Sequence, residues 1–105
     1  MTPARIPTRD DVASALARCE ARIAAALEAG QAERDAAWGD YMTHTDAPAE
    51  RRDDEARLLA CVRFGDVARE TWAEYDAEAA SAWAEYQILA DAWRDGRAVA
   101  LEVAS

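Results

Sequence analysis

Hydrophobic and small residues recur every three or four positions along most of this chain, which is the spacing of one face of an α-helix. The first such face begins after Thr8 and comprises Val12, Leu16, Cys19, Ile23, Leu27, Gly30, Arg34, Trp38 and Tyr41. Thr8 and Asp11 have the spacing of a capping box, in which each side chain bonds the backbone N–H of the other residue. The pattern predicts helix 1 at about residues 9–42.

A second face of the same spacing begins after Pro48 and predicts helix 2 at about residues 48–95, with Gly96 as its C-terminal stop. Its members are Leu58, Cys61, Phe64, Ala68, Trp72, Tyr75, Ala79, Trp83, Tyr86, Leu89 and Trp93. A turn is expected at residues 43–47, and a loose C-terminal tail at residues 97–105. Gly65 could break helix 2 and give three helices, so both arrangements stay open.

Two long helices joined by a short turn predict a single all-α domain, an antiparallel helical hairpin. A turn near residue 45 sets the register, and the facing pairs are Leu16 with Tyr75, Ile23 with Ala68, Leu27 with Phe64 and Gly30 with Cys61. In that register the first residues of helix 1 lie opposite residue 83 of helix 2. Helix 1 therefore does not cover Tyr86, Leu89 and Trp93. Since exposed aromatic surface usually marks an interface, we expect two hairpins to pair into a four-helix bundle.

The motif Trp-x-(Asp/Glu)-Tyr occurs three times, at Trp38, Trp72 and Trp83. The last two copies lie eleven residues apart, close to a whole number of helical turns, so they share one face of helix 2. The aromatic residues of that face fall within an arc of roughly 80°. With one leucine added, they form the predicted partner-binding stripe, which consists of Trp72, Tyr75, Trp83, Tyr86, Leu89 and Trp93.

Acidic residues outnumber basic ones by 21 to 12, for a net charge of −9, and every basic residue is arginine. This balance argues against direct binding of nucleic acid or of an anionic membrane. Residues 66–95 hold eight acids and two arginines. These acids are either a solvated helix face or a row of charges that contacts a basic partner, and in the second case the contact residues would be Glu74, Glu78 and Glu85.

The residues that could support chemistry are few, so we expect neither an enzyme nor a metal or cofactor site. His44 is the single histidine and falls in the predicted turn, without a second ligand at metal-binding spacing. Cys19 and Cys61 both fit the helix faces expected to be buried. No apolar run reaches the length of a membrane span and no signal pattern is present, so the expected location is the cytoplasm.

These features predict a non-enzymatic helical protein–protein interaction module that forms a homodimer through the aromatic stripe on helix 2. The alternative is an acidic nucleic-acid mimic, of the phage or mobile-element type, that acts as an inhibitor or adaptor by blocking a cationic site on a partner protein. A third hypothesis is a small-ligand carrier that uses the aromatic stripe as its pocket.

Overall fold

The computed structural model describes residues 3–101, and it is an antiparallel hairpin of two long helices. Its elements in chain order are β1 (Ala4–Arg5), α1 (Arg9–Thr45), a 3₁₀ turn (Ala49–Arg51), α2 (Asp54–Asp95) and β2 (Val99–Ala100). The predicted all-α helical hairpin is therefore confirmed. Because α2 runs unbroken through Gly65, the three-helix arrangement is wrong.

The start of α1 and the end of α2 are fixed by local hydrogen bonds, at the residues where the sequence predicted them. At the start of α1, the Thr8 N–H donates to Asp11 Oδ2 at 2.7 Å and the Asp11 N–H donates to Thr8 Oγ1 at 3.2 Å, which is the predicted capping box. Hydrogen bonds from Arg5 and Thr8 hold the pKa of Asp11 well below its usual range. At the end of α2, Gly96 adopts a positive φ of 67°, and the Arg97 N–H donates to the Ala92 carbonyl as in a Schellman motif.

The connection between the helices lies later in the chain than predicted. Helix α1 continues to Thr45, and α2 begins at Asp54 rather than near Pro48. The reason is local turn chemistry. Pro48 precedes a separate 3₁₀ turn, and the Asp53 carboxylate accepts the N–H groups of Glu55 and Ala56, so Asp53 is the N-cap of α2.

The predicted register is consequently wrong. Gly30 lies against Thr71 and not Cys61, and the aromatic ring of Phe64, the predicted partner of Leu27, packs on the ring of Trp38. Moving the turn toward the C-terminus brings later residues of α2 opposite every residue of α1.

Two compact units divide the hairpin, and each has a core of small side chains. The terminal unit consists of Met1–Ala24 with Glu78–Ser105, as far as the structure describes them, and the turn unit is Ala25–Ala77. The buried residues of the terminal unit include Val12, Ala15, Cys19, Ala82 and Ala92, and those of the turn unit include Gly30, Ala37, Ala60 and Thr71. Small residues at the contact allow two helix axes to approach closely.

The expectation that the end of α2 extends beyond α1 without cover is also wrong. Ala92 is fully buried, and Tyr86 and Leu89 are half-buried, because the first turns of α1 pack beside this end of α2. The predicted loose tail is likewise wrong at its described start. Arg5 pairs with Val99 and Ala4 with Ala100 in a short antiparallel β1–β2 ladder. Residues 102–105 lie outside the described residues.

Candidate functional site

Each of the four tryptophans follows a small, buried residue and is itself about half exposed. The buried residues Ala37, Thr71, Ala82 and Ala92 are 7%, 2%, 1% and 0% exposed, whereas the tryptophans that follow them are 44–48% exposed. One step along a helix turns a side chain by about 100°, so each indole lies at the edge of the helix contact. The sequence analysis placed Trp72 and Trp83 on a helix face expected to be buried, and the buried positions lie one residue earlier, at Thr71 and Ala82. Trp93 was expected to be uncovered, and it is 46% exposed.

In the terminal unit, Trp83, Tyr86 and Trp93 form what we call the terminal aromatic surface. The Trp83 and Tyr86 rings meet edge to face, with their centroids 5.7 Å apart. On α2 the three side chains fall within an arc of roughly 80°. Leu89 lies farther toward the helix contact and is half-buried. The predicted aromatic residues of this unit therefore share one side of α2, and the two indoles are the most exposed of these side chains.

The turn unit has its own aromatic pair, Trp72 and Tyr75, whose ring centroids are 5.7 Å apart in the same edge-to-face geometry. The guanidinium of Arg34 lies over the Trp72 ring, with Cζ 4.0 Å from the ring centroid. Trp38, the remaining tryptophan of the unit, contacts both Tyr41 and Phe64. The Trp-x-x-Tyr spacing thus produces an edge-to-face pair at residues 72 and 83, as i,i+3 neighbours on a helix can.

Arg34 is held in place from three directions. Its Nη1 donates to Thr71 Oγ1 at 2.9 Å, its Cζ is stacked on Trp72, and the missing side chain of Gly30 leaves room for it. A Cβ at Gly30 would lie 2.8 Å from Arg34 Nη1 and 3.2 Å from Thr71 Cβ. The sequence analysis placed Arg34 on a helix face without giving it a role. The signal that could have indicated a role was its place in the sequence, where an arginine occupies one position of an otherwise largely apolar helix face.

The three predicted acidic contact residues differ in their surroundings. Arg22 donates to Glu78 at 2.8 Å and to Glu85 at 2.5 Å, and the bond to Glu78 is the largest cause of a raised pKa at Arg22. Glu74 is exposed and has no such bond among residues 3–101. A partner that used Glu78 or Glu85 would therefore compete with Arg22, and Glu74 is the more available of the three.

Charge is divided unequally between the two units. The turn unit contains thirteen acidic residues and six arginines, for a net charge of −7, and the rest of the sequence contains eight acids and six arginines, for −2. A strongly basic partner would be attracted mainly to the turn unit. The terminal unit carries less charge that would oppose the approach of another acidic surface.

The beginning of α2 exposes an apolar patch that the sequence analysis placed partly in the core. Leu58, Leu59 and Val62 are 62–65% exposed, and Cys61 beside them is exposed as well. The small residue of this segment, Ala60, occupies the buried position instead. Cys19, in contrast, is buried as predicted.

Within residues 3–101 no group of three or more His, Cys, Asp and Glu side chains is arranged to hold a metal ion. Neither long helix contains a stretch apolar enough to cross a membrane, as far as the described residues extend. No family model matches the chain, and no match is found among the curated proteins or the solved structures.

Proposed function

We propose that the chain is a non-enzymatic helical interaction module that forms a homodimer through the terminal aromatic surface. The observation that carries the proposal is the exposure of Trp83 and Trp93, each 46% open to solvent on the same side of one helix. Tryptophan is strongly enriched among residues that dominate binding energy, because it buries a large area with little loss of conformational entropy. Half of each indole is already packed, so its position is fixed before a partner arrives.

A second copy of the chain is the partner favoured by the charge distribution. The terminal unit has a net charge of −2 by sequence, so two such units repel each other less than two turn units would. Pairing two terminal aromatic surfaces would bring four helices together, which is the four-helix arrangement expected from the sequence.

Sedimentation equilibrium at micromolar concentration tests this proposal. We expect a dimer for the wild-type chain and a shift toward monomer for Trp93→Ala. The matched control is Ile88→Ala, because Ile88 is 63% exposed but lies on a different side of α2, and its loss should leave the mass unchanged. A strictly monomeric wild-type chain would refute self-association.

The charge of the turn unit favours a second candidate function, the occupation of a cationic site on another protein. Its net charge of −7 and the exposed carboxylate of Glu74 fit a basic partner. Such binding should weaken steeply as salt rises, because exposed charges are screened beyond about 10 Å at 0.1 M ionic strength. Affinity for a basic protein recovered from the native host, measured at low and high salt for wild type and Glu74→Arg, separates this function from a solvated acidic surface.

A further inference from the structure

Arg34 and Trp72 form a second candidate site in the turn unit, apart from the terminal aromatic surface. The chain has almost twice as many acids as arginines, and Arg5, Arg22, Arg69, Arg94 and Arg97 all pair with carboxylates. Arg34 is one of the seven arginines without such a pair, since among residues 3–101 no carboxylate oxygen lies within 4 Å of its guanidinium. It differs from the other six in that Thr71 accepts a hydrogen bond from its guanidinium, which lies over the Trp72 ring. One of the five guanidinium N–H donors is used, in the bond to Thr71, and the others have no protein acceptor among those residues.

The position of this guanidinium is fixed by its surroundings. Thr71 is 2% exposed, and its hydroxyl lies within hydrogen-bond distance of the Val67 and Ala68 carbonyls, so the oxygen that accepts from Arg34 cannot turn freely. The guanidinium also lies over the Trp72 ring, with Cζ 4.0 Å from the ring centroid. An arginine held in this way loses little entropy when it binds, and its planar fork matches the two oxygens of a carboxylate.

We propose that Arg34 binds a single carboxylate presented by a partner protein, while an apolar side chain next to that carboxylate rests on Trp72. Trp72 is 44% exposed and Arg34 is half-buried, so a partner can reach part of each, and the two groups are in contact with each other. This proposal rests on the interaction function in one respect, that a protein supplies the carboxylate. It does not require the partner to be a second copy.

The charge around the site restricts the kind of partner. Glu33 and Asp35 flank Arg34 in the sequence, and the turn unit has a net charge of −7. A phosphate dianion or a run of acids would meet stronger repulsion from these carboxylates than one carboxylate, and basic residues beside a single carboxylate would offset the repulsion that it meets. The expected recognition element is therefore one Asp or Glu that has apolar neighbours and is flanked by Lys or Arg.

Nuclear magnetic resonance of the full chain tests the proposal through the Arg34 Nε–H and Trp72 indole N–H signals. Three blocked peptides serve as probes: Arg-Leu-Glu-Leu-Arg, its counterpart with Gln at the centre, and Glu-Leu-Glu-Leu-Glu. Methyl phosphate is the fourth probe. We expect the first peptide to shift both signals and to bind at least about tenfold more tightly than the Gln peptide, since charge-assisted hydrogen bonds are lost in the latter.

Arg34→Gln should remove the preference for Glu over Gln, and its circular dichroism should still show the helical spectrum. The control is Arg63→Gln, because Arg63 is an exposed arginine of the same unit that likewise has no carboxylate within 4 Å among the described residues, but it lies over no indole there. That variant should bind like the wild type.

Several results would overturn the proposal. Equal binding of the Glu and Gln peptides, a preference that survives in Arg34→Gln, or unmoved Arg34 signals at millimolar peptide would each exclude a carboxylate site. Equal binding of the all-acidic peptide or of methyl phosphate would exclude the stated selectivity. A monomeric chain whose Arg34 responds to the Glu peptide would refute self-association alone, and a dimer whose Arg34 is indifferent would refute this site alone.

Discussion

Replacing Gly30 by Ala should fail to stabilise the protein, although the same change at another glycine within the helices should succeed. In a helix interior Ala is favoured over Gly by about 1 kcal/mol. Gly39 and Gly65 have open space where a Cβ would be placed, so each should gain close to that amount. Gly30 differs because its Cβ would meet Arg34 and Thr71.

The expected loss at Gly30 follows from those two contacts. A Cβ 2.8 Å from Arg34 Nη1 forces the guanidinium away from Thr71 and Trp72. This gives up a hydrogen bond worth about 1 kcal/mol and a cation–π contact worth about 0.5–1 kcal/mol. Thr71 Cβ, at 3.2 Å, must also yield by a few tenths of an ångström. The net effect of Gly30→Ala is then between roughly zero and 1 kcal/mol of destabilisation.

Thermal unfolding followed by circular dichroism provides the assay. For a chain of this size 1 kcal/mol corresponds to roughly 4–8 °C, so Gly65→Ala should raise Tm by about that amount and Gly30→Ala should leave it unchanged or lower it. If Gly30→Ala raised Tm as much as Gly65→Ala, the close contact of Gly30 with Arg34 and Thr71 would be refuted. In an Arg34→Ala background the penalty at Gly30 should shrink to the part caused by Thr71.

Three further substitutions test other parts of the fold. Trp83→Ala should cost about 2 kcal/mol in urea denaturation, below the roughly 3–5 kcal/mol of a fully buried aromatic, because nearly half of the ring is already exposed. Asp11→Asn should reduce stability at neutral pH, and because the pKa of Asp11 is lowered in the folded chain, the wild-type advantage should disappear as pH falls below the ordinary carboxyl range. Glu78→Arg should lower Tm more than Glu74→Arg at low salt, since it places a second cation beside Arg22, and added salt should reduce the difference.

The start of α1 and the end of α2 could be predicted because their signals are local. The capping box joins Thr8 to Asp11, and the bond that closes the end of α2 joins two residues on either side of Gly96. Both partners of each hydrogen bond lie within a few positions of each other in the sequence, so the motif can be recognised there. The turn was misjudged because Pro48 is compatible with the first turn of either an α-helix or a 3₁₀ turn. The choice depends on Asp53, whose carboxylate caps the helix that follows.

The residues of the aromatic surface were predicted, but their position relative to the contact between the helices was not. Large apolar side chains dominate any hydrophobic pattern, whereas closely packed helices select small residues at the centre of their contact, so Ala82 occupies the place assigned to Trp83. The contact of Arg34 with Thr71 could not be predicted, since it joins residues 37 positions apart and depends on the register. An error in the turn therefore propagates to every contact between the helices.

The short β1–β2 ladder has a consequence for rearranging the order of the chain. Because Ala4 pairs with Ala100 in antiparallel fashion, Pro3 and Leu101 leave the ladder side by side, separated by about the 5 Å of one strand pair. A linker of a few glycines could join them, and a new start could be cut into the connection between Thr45 and Asp54. Such a circular permutant would keep both helices whole while reversing the order in which the ribosome makes them.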